Sequence, residues 1–210
     1  ENGIGVEQFI KNAETNIVKA ESVENKINDI KLNPPTATTF NSKITSIINE
    51  YEKLSTLQQQ LIENYGDLES YINALQVLNG ITQLTKLKAN SEELRTELPT
   101  IEAKYENLNT IEKTFVTNYN KLLDMQEAIE KVQKVEVEVL KINTATFEEK
   151  SSIVADARKA YNGLSSSDRK YILTEALDLL TSWEKTSSTA ASVIKQIDAV
   201  KTNVFSNHDD

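Results

Sequence analysis

The 210-residue chain has no cysteine, three prolines, five glycines, and one each of methionine, tryptophan and histidine. Without cysteine there are no disulfide staples and no thiolate metal sites, which leaves both a cytosolic and a disulfide-free extracellular setting open. With so little proline and glycine, little interrupts long helices. Cations are outnumbered, 23 Lys and Arg against 32 Asp and Glu, for a net charge of −9. That balance argues against nucleic acid, whose phosphates demand clustered Lys and Arg, and equally against an anionic membrane surface. No apolar run is long enough to span a bilayer, so membrane insertion is not expected. A glycine-rich phosphate loop, a Gly-x-Ser-x-Gly nucleophile and an Asp-x-Asp-x-Asp-Gly calcium loop are all missing. The chain opens at Glu1 with no signal peptide and reads as a processed or excised fragment.

What is present is a pattern that occurs three times. Tyr51, Leu54, Ser55, Gln58, Leu61-Ile62 and Asn64 return as Tyr105, Leu108, Asn109, Glu112, Phe115-Val116 and Asn118. They return again as Tyr161, Leu164, Ser165, Asp168, Tyr171-Ile172 and Thr174. The offsets from the tyrosine are the same each time, +3, +4, +7, +10, +11 and +13, and the tyrosines stand 54 and 56 residues apart. A fixed period of this size marks a repeat array. The local chemistry is that of a corner between helices. Tyr and Leu three apart share a helix face. Ser55, Asn109 and Ser165 are helix caps, with Gln58, Glu112 and the shorter Asp168 placed to complete capping boxes.

A second pattern interlocks with the first. Val23, Ile27, Ile30 recurs as Val77, Ile81, Leu84, then Val135, Val139, Ile142, and a fourth time as Val193, Ile197, Val200. From Val6 to about Leu32 the residues Phe9, Ile10, Ala13, Ile17, Val23, Ile27 and Ile30 step mostly by three and four, giving a long amphipathic helix that Asn33-Pro34-Pro35 stops. Phe40, Ile44, Ile47, Ile48, Tyr51 and Leu54 give a second helix. A third is expected from Thr56 to about Leu87, weakened by Gly66 and Gly80 at about 1 kcal/mol each. The second helix opens fifteen residues before each tyrosine, at Thr36 with Thr39, Asn90 with Glu93, and Thr146 with Glu149.

Two passages resist. Pro99 falls inside the second helix of the middle stretch, where it should cost about 3 kcal/mol or force a kink or restart. Val135-Glu136-Val137-Glu138-Val139 alternates like a strand, but the repeat register makes it helix, and a lone strand would lack a partner.

The expected fold is therefore all-α: tandem three-helix bundles whose third helix runs on as the first helix of the next, forming a spectrin-like elongated rod. The divisions are a leading helix over 1–22, units over 23–76, 77–134 and 135–192, and the start of a fourth unit or a tail over 193–210. The expected core of the repeated corner is Tyr51, Leu54, Leu61, Tyr105, Leu108, Phe115, Tyr161, Leu164 and Tyr171.

Ala157-Arg158-Lys159-Ala160-Tyr161-Asn162-Gly163-Leu164-Ser165, with Asp168-Arg169-Lys170-Tyr171, resembles a three-helix repeat of Gram-positive extracellular proteins. Its form is Ala-Arg-x-x-Tyr-x-x-Leu, a polar corner, then Val-x-Asn-x-x-x-Leu, the second half standing here as Val116-Thr117-Asn118-Tyr119-Asn120-Lys121-Leu122. The likeness runs over about Val23 to Val200. The first copy departs from it, with Asn49 and Glu50 in the Ala-Arg neighbourhood. Such repeats occur in S-layer-type proteins, adhesins and large secreted carbohydrate-active enzymes. The resemblance implies an extracellular, wall-associated setting, and it carries no catalytic residues.

Candidate sites are few. His208, in the tail Ser206-Asn207-His208-Asp209-Asp210, is read as a solvated histidine, because a metal site needs three or four converging ligands. Glu92-Glu93, Glu148-Glu149 and Asp67 with Glu69 are carboxylates of the kind glycosidases pair, but they fall at helix starts or on polar faces. The tyrosines, Phe115 and Tyr171 have core spacing rather than that of a sugar-stacking surface. Trp183, four residues after Leu179, reads as packed. Neither catalysis nor a cofactor is expected, with weak surface calcium bridging left open. The leading function is a structural spacer or assembly segment of a surface protein, its partners being other surface modules or copies of itself. The alternatives are a module that binds host or matrix proteins, and an accessory region of a secreted glycan-active enzyme.

Overall fold

The computed structural model describes Asn2–Ser206, and among these residues the fold is all-α with no strand. The helices are α1 (Asn2–Leu32), α2 (Ala37–Tyr51), α3 (Thr56–Gln60), α4 (Tyr65–Leu84), α5 (Glu92–Glu106), α6 (Thr110–Phe115), α7 (Tyr119–Thr144), α8 (Phe147–Gly163) and α9 (Thr174–Ser206), with a 3₁₀ helix at Asp168–Tyr171. The chain forms two compact units, one of Glu1–Leu84 with Pro99–Leu122, the other of Thr85–Leu98 with Leu123–Asp210.

In the first unit α1, α2 and α4 pack on one another, α3 lies on α1, and α6 lies on α4. Val23, Ile27 and Ile30 of α1, Phe40, Ile44 and Ile47 of α2, and Val77, Ile81 and Leu84 of α4 are all buried. Each such side chain removed from water stabilises the fold by about 1.5–3 kcal/mol. Gly80 has a packing reason here. A Cβ at this position would come within 2.5 Å of Ile101 Cδ1, so the missing side chain lets α4 and α5 approach closely.

In the second unit one cluster joins Val132, Val135, Val139 and Ile142 of α7 to Val154 and Ala157 of α8, and to Ile172, Ala176 and Leu180 at and after the 3₁₀ helix. The alternating Val135–Val139 run is helical. Val135, Glu136 and Val139 face inward while Val137 is exposed, as a 3.6-residue period requires.

Several sequence expectations need correction. The helix expected from Thr56 to Leu87 is broken. Residues 61–64 separate α3 from α4, because the backbone N–H of Glu63 and the side chain of Asn64 bond instead to α1. The same break follows α6, and the third copy has a 3₁₀ turn in place of an α-helix. Pro99 does not restart α5, which runs unbroken through it, although the division between the two compact units falls between Leu98 and Pro99. Asn90 is not the cap of α5. Ser91 takes that role, its hydroxyl accepting from the Leu94 N–H at 3.2 Å, while Asn90 Nδ2 donates to Thr174 Oγ1 at 2.9 Å.

Candidate functional site

The repeated corners are built from local chemistry. Ser55 Oγ accepts from the Gln58 N–H at 3.3 Å, and Gln58 Oε1 accepts from the Ser55 N–H at 2.8 Å. Asn109 Oδ1 accepts from the N–H groups of Ile111 and Glu112, both at 2.9 Å, and Glu112 returns the bond to the Asn109 N–H at 2.7 Å. Ser165 Oγ accepts from the Asp168 N–H at 3.1 Å and donates to Asp168 Oδ2 at 2.7 Å. Ser55 and Asn109 are the N-caps of α3 and α6 with both bonds of a capping box, whereas the residue next to the 3₁₀ helix is Ser167 and Ser165 bonds to Asp168 from one turn back. Thr146 also opens α8 as expected, with the Glu149 carboxylate accepting from both its N–H and its hydroxyl. Those two bonds hold the Glu149 carboxyl below its ordinary pKa.

Each corner then ties back to the long helix before it. Asn64 Nδ2 donates to the Glu24 carbonyl and to Asn28 Oδ1, both at 2.9 Å. Asn118 Nδ2 repeats this 54 residues on, donating to the Leu78 carbonyl at 2.9 Å and to Thr82 Oγ1 at 3.1 Å. In the third corner Thr174 replaces the asparagine, and the Leu173 N–H donates to Glu136 Oε1 at 2.8 Å. Glu136 sits where Glu24 sits in the first copy, and Glu24 Oε1 likewise accepts from the Glu63 N–H at 3.1 Å. None of these long-range partners is legible from the corner motif alone.

The expected core residues divide by offset. At +3, Leu108 is buried while Leu54 and Leu164 are half-buried. The three tyrosines are half-buried. Tyr51 stacks on Tyr65 at 5.0 Å and Tyr105 on Tyr119 at 3.7 Å, whereas the Tyr161 ring meets the guanidinium groups of Arg158 and Arg169, 4.9 and 5.1 Å from its centroid. Burial raises the Tyr51 and Tyr119 pKa values, each helped by the stacked tyrosine partner. At +10, Phe115 stacks on Phe40 at 4.8 Å and meets Tyr71 edge-on at 5.3 Å, and Tyr171 packs on the second unit's core. Leu61 is the exception, 42% exposed. The position buried in every copy is the next one: Ile62, Val116 and Ile172.

Sequence reasoning missed the most buried salt bridge among the described residues. Arg95 makes a two-pronged bond to Glu136, at 2.7 and 2.6 Å, and also donates to the Tyr171 carbonyl at 3.0 Å. Both side chains are nearly sealed, 12% and 8% exposed. Since Glu136 also holds the Leu173 N–H, one ion pair fastens α5, α7 and the third corner together.

Among the described residues no three of His, Cys, Asp and Glu converge as metal ligands do, and no helix is long and apolar enough to cross a membrane. His208 lies outside the described residues. Glu92, Glu93, Glu148, Glu149 and Asp67 occupy first turns of helices. The hollow lined by Asp124, Glu127, Lys131 and Asp168 carries its own cation, Lys131 lying 2.8 Å from Glu127 and 3.8 Å from Asp168.

Two helix faces are apolar and open. On α1, Val6, Phe9, Ile10, Ile17 and Val18 are exposed, and on α9 so are Val193, Ile194, Ile197 and Val200. Beside the latter a groove of 340 Å³ runs between α8 and α9, lined by Phe147, Lys150, Trp183, Ala190 and Ile194 among others. The Lys150 ammonium caps the Trp183 ring at 4.1 Å, so Trp183 is half-buried rather than enclosed. Comparison with known protein families, with curated proteins and with solved structures finds no match for this chain.

Proposed function

We propose that the chain is a non-catalytic spacer or assembly segment, a tandem array of three-helix units over 23–76, 77–134 and 135–192 that stack into an elongated rod. The observation that carries this reading is the register of the corners. Short helices that follow matching capping boxes tie back to the preceding long helix through residues at matching offsets, Asn64 to α1 and Asn118 to α4. In arrays of this kind each unit contacts only its neighbours, so length and stiffness grow with unit number. A chain organised this way holds other modules apart, or assembles with them. The cell-surface, Gram-positive setting rests on the resemblance carried by Ala157–Ser165 and Val116–Leu122. Small-angle scattering tests the reading: a rod-like distance distribution is expected, and that of a sphere rejects it.

A second reading, recognition of host or matrix proteins, is favoured by the open apolar residues of α1 and α9. A pull-down from serum and matrix extracts separates the two. Capture that is lost on placing charges in those faces would favour recognition over spacing.

A further inference from the structure

The groove between α8 and α9 has two counterparts inside the molecule, and both are filled. By the Val/Ile register Ser187, Ala190 and Ile194 of the groove correspond to Tyr71, Ala74 and Leu78 of the first unit, and by the register of the tyrosines Ser151 corresponds to Asn41. There the space is taken by α6. Phe115 stacks on Phe40 and meets Tyr71 edge-on, and Asn118 donates to the Leu78 carbonyl. The same four positions correspond to Arg95, Ile129, Val132 and Glu136 of the second unit. There the space is taken by the third corner, with Arg95 on the Tyr171 carbonyl and Glu136 on the Leu173 N–H. The stripe below the groove follows suit. Val23/Ile27/Ile30, Val77/Ile81/Leu84 and Val135/Val139/Ile142 are all 4% exposed or less, whereas Val193, Ile197 and Val200 are 48%, 48% and 62% exposed.

We infer that the α8–α9 groove and the Val193–Val200 stripe form a docking site for one further helix–corner–short-helix segment of the same kind. Such a segment ends a helix at a tyrosine and carries a capping box, an aromatic residue at +10, a branched aliphatic at +11 and Asn or Thr at +13. This rests on the repeat reading above and names the partner it implies. The +10 aromatic would enter over Lys150 and Ser187, the counterparts of the Phe40 and Tyr71 that Phe115 meets, in the groove that Trp183 also lines. The +11 residue would cover Val193 and Ile197, and the +13 side chain would donate to the Ile194 carbonyl. A second copy of the chain is the weaker occupant, because its corners are already seated: α3 on α1, α6 on α4, and the third corner on α7 through Glu136.

Trp183 is the only tryptophan and lines the groove, so its fluorescence reads occupancy directly. The full chain is titrated with a synthetic peptide of residues 85–122. In parallel, a variant is made in which a copy of residues 85–122 replaces 201–210, which places the added corner in register with α9. Docking is expected to shift Trp183 emission to the blue and to lower its quenching by acrylamide, in the extended chain at the least. Val193→Asp, harmless to the melting of the original chain, should then destabilise the extended one. Unchanged quenching in both arms, with Val193→Asp still neutral, overturns the proposal. Concentration-dependent self-association of the original chain that shields Trp183 and is abolished by Val193→Asp overturns it in favour of a second copy. Neither failure touches the repeat reading, which scattering tests separately.

Discussion

Val23, Ile27 and Ile30 on α1 and Val193, Ile197 and Val200 on α9 are nearly the same stripe 170 residues apart, and they meet opposite fates. The first is sealed under α2 and α4, while the second faces solvent along a helix that continues to Ser206. Both stretches are helical, whether or not the stripe is covered. Burial is a separate matter, decided by whether a second helix and a capped corner arrive to cover the stripe. Apolar periodicity thus states what a helix face can do, and its neighbours determine whether it does so.

The largest effect expected in sharpening this contrast of sealed and open positions is at the ion pair. Arg95→Ala strands the Glu136 carboxylate in a nearly closed site and should cost about 3–5 kcal/mol, seen as a lower midpoint in urea unfolding. Arg158 and Glu184 form a comparable two-pronged pair at 28% and 31% exposure. Arg158→Ala should cost about 1 kcal/mol or less, because solvent already screens that pair.

Next in size are the caps. Asn109→Ala and Ser55→Ala each remove a complete capping box and should cost about 1 kcal/mol. Ser165→Ala should cost less, since Asp168 starts only a four-residue 3₁₀ turn. Thermal melts followed by circular dichroism rank the three, and equal costs would show that the corners differ less than their hydrogen bonds suggest.

The smallest effect is pH-dependent. Glu149 is held below its ordinary pKa by its bonds to Thr146, so its contribution to α8 is present above the unfolded pKa and is lost as pH falls through the lower, folded one. Acidification below about pH 4.3, the ordinary Glu value, should loosen the start of α8. Thr146→Val, which removes the hydroxyl, should diminish that dependence, as amide exchange at residues 147–150 would show.

What was legible in the sequence was whatever chemistry acts over a few residues. Ser55, Asn109 and Thr146 announce their helix starts because the cap and its partner lie three apart. The break after α3 was not legible, since it depends on Asn64 reaching Glu24 and Asn28, 40 and 36 residues away. Arg95 and Glu136 belong to no short-range motif, and only the folded chain brings them together across 41 residues. Ser91 displaced Asn90 as a cap because Asn90 is engaged by Thr174, 84 residues later. Leu61 matched Phe115 and Tyr171 in spacing but differs in surroundings, so the pattern fixed its register without its burial.

The most direct test of the account is a set of alanine variants at one register position: Ile27, Ile81, Val139 and Ile197. Ile27→Ala and Ile81→Ala should each lose about 2–5 kcal/mol in urea unfolding and Val139→Ala somewhat less, while Ile197→Ala should stay within about 0.5 kcal/mol of the parent. A loss at Ile197 equal to that at Ile27, or no loss at any one of the other three, would contradict the claim that these are equivalent positions distinguished only by what covers them.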